Sequence, residues 1–150
     1  MSVTRSHCDI VIDWLKERGS DDWHRLTLGW NWDIGMSPLK WIVEQPECDK
    51  ATALQVFWHS GADNVAARSN IDDAKQHYCE EAWPVLKGIA ERWTNGGFTR
   101  SELAFSSPEQ MDEETLREMV KFAGASDFAF AIPAEMFAPR AGRQLTTPKA

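Results

Sequence analysis

Residues 70–93 read NIDDAKQHYCEEAWPVLKGIAERW. Tyr78, Ala82, Val85, Leu86, Ile89 and Trp93 recur there mostly at intervals of three or four, the spacing of one face of an α-helix. It is the longest helical pattern in the chain and sets the expected class, all-α. Pro84 lies inside the pattern. It lacks the amide hydrogen that a helix interior uses, so it is expected to kink or divide the helix. Asn95-Gly96-Gly97 closes it.

Upstream, the same period recurs in shorter pieces. Cys8, Val11, Ile12 and Leu15 lie on one face of a helix expected from about Thr4 to Arg18, with Gly19 as its stop. Ser20 is the expected N-cap of a second helix through Trp23 to about Leu28, with Asp21 and Asp22 in its first turn, where carboxylates suit the helix dipole. Residues 29–35, GWNWDIG, read as a structured turn. Ser37-Pro38 starts a third helix that is apolar on most sides, so it is expected near the centre of the domain, and Pro46 stops it. Asp49 caps a fourth, Lys50 to His59, with Ala51, Leu54 and Trp58 on one face.

Downstream, Phe98 to Phe105 has no helical period and reads as an extended arm or short strand. Asp112 is a candidate cap for a helix from Glu113 to Ala123. Ser126 to Phe137 is aromatic and irregular. From Ala138 on, the Pro, Gly, Arg and Thr content reads as a mobile tail. The expectation is one compact all-α domain of five or six helices over residues 1–137, with an irregular aromatic C-terminal segment, and a flexible basic tail over 138–150.

The chain has 150 residues, a hydrophobic fraction of 43% and a net charge of −7. That is long enough to bury a core without a disulfide or metal staple. Setting aside Arg140, Arg143 and Lys149 of the tail leaves residues 1–137 with 13 basic and 23 acidic residues, or −10. Such a body repels phosphate backbones, which counts against nucleic-acid binding, and favours encounter with a basic protein partner. Three cysteines, Cys8, Cys48 and Cys79, form no even framework and suggest thiols in a reducing compartment. No signal peptide or membrane-length apolar run is evident, so the expected location is cytoplasmic.

No catalytic or cofactor signature stands out. His77, Cys79, Glu80 and Glu81 have helical spacing that could hold a divalent ion, but a solvated helix face explains them as well, and no metal or cofactor is expected. Cys48 lies just before a helix N-terminus, where the dipole can lower a thiol pKa, but it reads more readily as a small buried hydrophobe. The anomaly is tryptophan, with eight residues against one tyrosine. Indoles can fill a helical core, anchor a protein partner or wall a ligand pocket. The candidate binding residues are Trp30, Trp32, Asp33, Gln45, Trp58 and His59.

Trp30-Asn31-Trp32-Asp33-Ile34-Gly35, then residues 38–49 (PLKWIVEQPECD), then Thr52-Ala53-Leu54 and Phe57-Trp58, resemble the bacterial domain-of-unknown-function family numbered 4274. The resemblance covers about Trp23 to Ser60 and extends weakly to Glu102. It implies a small, soluble, bacterial helical protein, of a kind associated with the accessory genes of toxin systems. Most of the shared residues have structural explanations: Asp33 and Gly35 shape a turn, Pro46 stops a helix, Asp49 caps the next, and Trp41 and Trp58 pack. Gln45 has no such evident task.

Besides an accessory or scaffold role with no specified chemistry, two functions from different classes follow as expectations. One is an acidic, Trp-studded protein-binding module, an immunity protein or antitoxin that neutralises a basic cognate toxin without catalysis. The other is a small-ligand binder or enzyme that uses a pocket of Trp32, Asp33, Trp41, Gln45 and Trp58.

Overall fold

The computed structural model describes residues 7–30, 35–60, 65, 68, 70–105, 132, 134–137 and 140–145. Among these, the chain is helical and forms no strand longer than a single bridge. The helices are α1 (His7–Lys16), α2 (Ser20–Leu28), α3 (Ser37–Val43), α4 (Lys50–His59), α5 (Ile71–Gln76) and α6 (Ala82–Thr94), followed by a 3-10 turn at Ala134–Phe137. No helix among the described residues is long and apolar enough to cross a membrane. The expected helix over residues 113–123, and Ser126 to Ala131 of the aromatic segment, lie outside the described residues.

The centre of the domain is α4, not α3. Ala51 to Trp58 are all buried, on every side of the helix. The Ala and Thr residues of ATALQVFW take little room, so α2, α3 and α6 can all reach it. Leu54, Val56 and Phe57 are fully buried and pack with Leu39 and Ile42 of α3 and Leu86 and Ile89 of α6. In α3, by contrast, Lys40 is exposed and Trp41 half-buried.

Two local expectations are corrected. Gly19 does not adopt the left-handed conformation of a helix stop. It has φ −102° and is itself the N-cap of α2, which leaves Ser20 inside the helix and buried. Nor does Pro84 break the long pattern. The break falls earlier, at residues 77–81, and Pro84 sits in the first turn of α6, where an amide hydrogen has no helical partner to lose. Tyr78, read as part of the inward stripe, is 94% exposed.

Residues 98–105 form an extended arm, as expected. Lys50 N–H donates to Arg100 O at 2.9 Å, fastening the arm to the start of α4. Its far end pairs with residues expected in the flexible tail. Arg140 and Phe105 exchange backbone hydrogen bonds at 2.7 and 3.0 Å, and Arg143 exchanges with Glu102 and Ala104, each at 3.0 Å. Gly142 permits this approach, since a Cβ there would stand 2.5 Å from Glu102 O. Arg140 to Leu145 are therefore docked. Basic composition reads as solvated tail in a sequence, but here guanidinium groups find carboxylates on the body.

Candidate functional site

The indoles are mostly structural fasteners. Trp23 donates to Leu15 O at 2.9 Å and meets Trp41 edge-on, with ring centroids 5.2 Å apart. Trp30 donates to Gly35 O at 2.9 Å. Trp58 is 2% exposed, donates to Met136 O at 2.9 Å and packs edge-on against Phe57. Trp83 donates to Arg68 O at 3.2 Å. Each buried N–H that finds an acceptor avoids a penalty of about 1–3 kcal/mol.

Gln45 gains an explanation. Its side-chain amide donates to Trp41 O at 2.8 Å, and its own carbonyl accepts from Arg92 Nη2 at 2.9 Å. Arg92 also reaches Val43 O at 2.6 Å and Gly97 O at 3.1 Å, and its guanidinium lies 4.1 Å over the Phe98 ring. A cation on the last carbonyls of α3 suits that end of the helix. The task of Gln45 is thus to help end α3.

The candidate residues do not converge. Cys48 N–H donates to Gln45 O, which places Gln45 near the start of α4. Trp58 and half-buried His59 lie at the other end, about 12 Å away along the helix axis. Trp32 and Asp33 lie outside the described residues. A cleft of about 390 Å³ does open between α3 and α6, but Lys40, Val43, Glu44, Val85, Ile89 and Arg92 line it, with no tryptophan.

The densest polar assembly surrounds the start of α4. The Asp49 carboxylate is fully buried and accepts from Ala51 N–H at 2.9 Å, Glu102 N–H at 2.7 Å and Leu103 N–H at 3.2 Å. Arg100 sits over it, 3.8 Å from Asp49 and 3.7 Å from Asp21, and pairs with Glu102 at 2.6 Å. Arg143 grips Asp21 with both terminal nitrogens, at 3.0 and 3.1 Å. That bond lowers the Asp21 pKa and raises that of Arg143. Sequence reasoning found Asp49 as a cap. It missed Arg100 and Arg143, because nothing local shows which carboxylates they meet.

Beneath this lies a His–Thr pair. His24 Nδ1 is 2.9 Å from Thr52 Oγ1. A histidine beside a hydroxyl, with Asp49 near, has the composition of an activated nucleophile. Here it is sealed: His24 is 3% and Thr52 1% exposed. Burial lowers the His24 pKa and favours its neutral form, but no substrate can reach the hydroxyl. The pair joins α2 to α4.

The other chemical candidates are equally accounted for. Cys48 is fully buried, and burial pushes its thiol up to about 12, against the lowering that a helix N-terminus would give. His77 to Glu81 lie outside helical geometry, and no metal-binding cluster occurs among the described residues. His77 bonds Asp73 O at 2.9 Å, and Glu81 accepts from Met36 N–H.

What remains is the surface. Of the seven described tryptophans, Trp14 is the most exposed, at 40%. Ile10, one helical turn before it on α1, is 53% exposed. Asp9, Asp13 and Glu17 on the same helix are exposed too, and the Arg18 guanidinium lies 4.8 Å over the Trp14 ring. Trp14 is not among the tryptophans that the sequence offers as candidate binding residues, Trp30, Trp32 and Trp58.

No curated protein and no solved structure matches the chain. Residues 18–94, just over half of it, match the model of the domain-of-unknown-function family DUF4274. The matched span holds α2 to α6, the Trp23–Trp41 contact, the Asp49 cap and the Gln45–Arg92 closure of α3, and the chain belongs to that family.

Proposed function

We propose that this protein is an acidic protein-binding module, an immunity protein that neutralises a basic bacterial toxin by direct contact. The observation that carries the reading is the outer face of α1. Trp14 and Ile10 stand one turn apart in solvent, with Asp9 and Asp13 beside them. Exposed large apolar side chains ringed by charge are what an interface offers, and tryptophan is foremost among residues that dominate binding energy. The charge of −7 selects a basic partner and speeds the encounter. The Trp14 ring already carries a guanidinium on its face, so an arginine or lysine of the partner suits it. The buried His24–Thr52 pair and the high thiol pKa of Cys48 count against catalysis at those groups.

The test is affinity capture from source cells at low and high salt, followed by reconstitution with the identified protein. The reading expects one basic partner whose affinity falls with salt and with Asp9→Lys/Asp13→Lys. It also expects that the partner expressed alone arrests growth and that co-expression of this chain restores it. A neutral or acidic partner, or one indifferent to both salt and charge reversal, contradicts it.

A further inference from the structure

α5 ends in a two-bond stop. Cys79 N–H donates to Ala74 O at 2.9 Å, and Tyr78 N–H to Lys75 O at 3.3 Å. Ala74 and Cys79, the residues that touch in such a stop, are both buried. Tyr78 occupies the residue between them that must turn left-handed, at φ +60°, and it is the one non-glycine with positive φ among the described residues. Glycine is the usual occupant, because a Cβ clashes with the backbone there. A tyrosine is a poorer stop than glycine there. Its side chain is 94% exposed, so packing within the chain does not offset that cost. A residue that gives up stability without an internal return is a candidate for work done outside the molecule.

The surroundings indicate the kind of partner. Glu80 and Glu81 follow Tyr78 in the turn and are exposed, with exposed Lys75 and His77 before it. The turn also adjoins α1. A Cβ on Gly35 would stand 3.4 Å from Glu81 Oε1 and 3.6 Å from Cys8 Sγ, so the carboxylate beside the turn and the start of α1 meet at Gly35. Burial and then the Glu81 charge raise the Cys8 pKa, in keeping with that proximity.

We infer that Tyr78 is a second anchor for the basic partner, with its ring seated in an apolar pocket whose lysine or arginine rim faces Glu80 and Glu81. The inference rests on the reading of α1 as a docking face and adds the residue that sequence periodicity assigned to the core. A ring of this kind, surrounded by charge and excluded from water on binding, is how interface anchors act.

Three variants test it against the partner recovered above. Tyr78→Gly and Tyr78→Asn suit the left-handed backbone without the ring, and Tyr78→Phe keeps the ring. Both ring-less variants should melt no lower than the parent, and Tyr78→Gly up to about 4 °C higher. Both should bind at least roughly tenfold more weakly, while Tyr78→Phe stays within about threefold. Parent-like binding by Tyr78→Gly, or a lowered melting temperature showing that the ring packs internally, overturns the inference. If Trp14→Ala weakens binding and the Tyr78 variants do not, the α1 reading stands and the Tyr78 anchor falls. If no basic partner is retained by the parent chain, both fall.

Discussion

The imidazole of His24 and the hydroxyl of Thr52 meet at 2.9 Å within the contact between α2 and α4. Both side chains are almost wholly inaccessible, so the pair joins two helices and also ties the fold to pH.

Burial lowers the His24 pKa below its ordinary 6.5; the charges of Asp49 and Asp21 oppose that shift and Arg25 adds to it. Below pH 6.5 the unfolded chain binds a proton that the folded chain refuses, so stability falls with pH in that range and is fully present above it. Melting curves at pH 7.5, 6.5 and 5.5 should show this slope, and His24→Gln should flatten it. An equal slope in the variant would mean that His24 carries its proton in the fold. The Asp21 contribution is separate. Its pKa is lowered from 3.8, mainly by the bond to Arg143, so that contribution is lost only as pH falls further.

Two helix caps of similar sequence appearance should differ several-fold in energy. Asn70 caps α5 in solvent, accepting from Asp73 N–H at 2.9 Å. Its replacement by alanine should cost about 0.5–1 kcal/mol. Asp49 also caps, but it is buried and holds the arm at Glu102 and Leu103 as well. Asp49→Ala strands three N–H groups and should cost about 3–5 kcal/mol in urea unfolding. Equal costs would show that the arm is not held by Asp49.

Much of the fold was legible. Periodicity located α1 to α4 and the span of α5 and α6, and Asp49 was recognisable as a cap because its chemistry is local. What escaped notice depends on distant partners. The Arg143–Asp21 pair joins residues 122 positions apart, so the docking of Arg140–Leu145 had no local sign. The centrality of α4 was hidden because alanine and threonine read as neutral, although their small size is what lets three helices close around it. Tyr78 was misplaced because a three-and-four spacing runs straight through a chain reversal. Of the candidate site, Gln45 proved to be a helix-ending residue and Trp58 a core residue, while exposed Trp14 was overlooked.

Cys48 should resist alkylation in the folded protein. Its thiol lies in the core with a pKa near 12, whereas half-buried Cys8 is more accessible. Iodoacetamide at pH 8 should modify Cys8 first and reach Cys48 only on unfolding, as peptide mass spectrometry would show. Prompt native labelling of Cys48 would contradict its place in the core.

Arg92→Lys should loosen the end of α3. A lysine cannot hold the carbonyls of Val43 and Gln45 together while lying over Phe98. A loss of about 1–3 kcal/mol is expected, with faster amide exchange at the end of α3. An unchanged exchange rate would show that the Gln45 side-chain bond to Trp41 suffices.

The most direct test of the account is calorimetric titration of the captured basic partner with the parent chain and with Trp14→Ala. Trp14 is 40% exposed, so its removal also forfeits some packing and should cost about 1–2 kcal/mol of folding stability. The account predicts that, at a temperature where both chains are folded, the affinity falls at least roughly tenfold. Parent-like affinity in Trp14→Ala would contradict the docking face on α1.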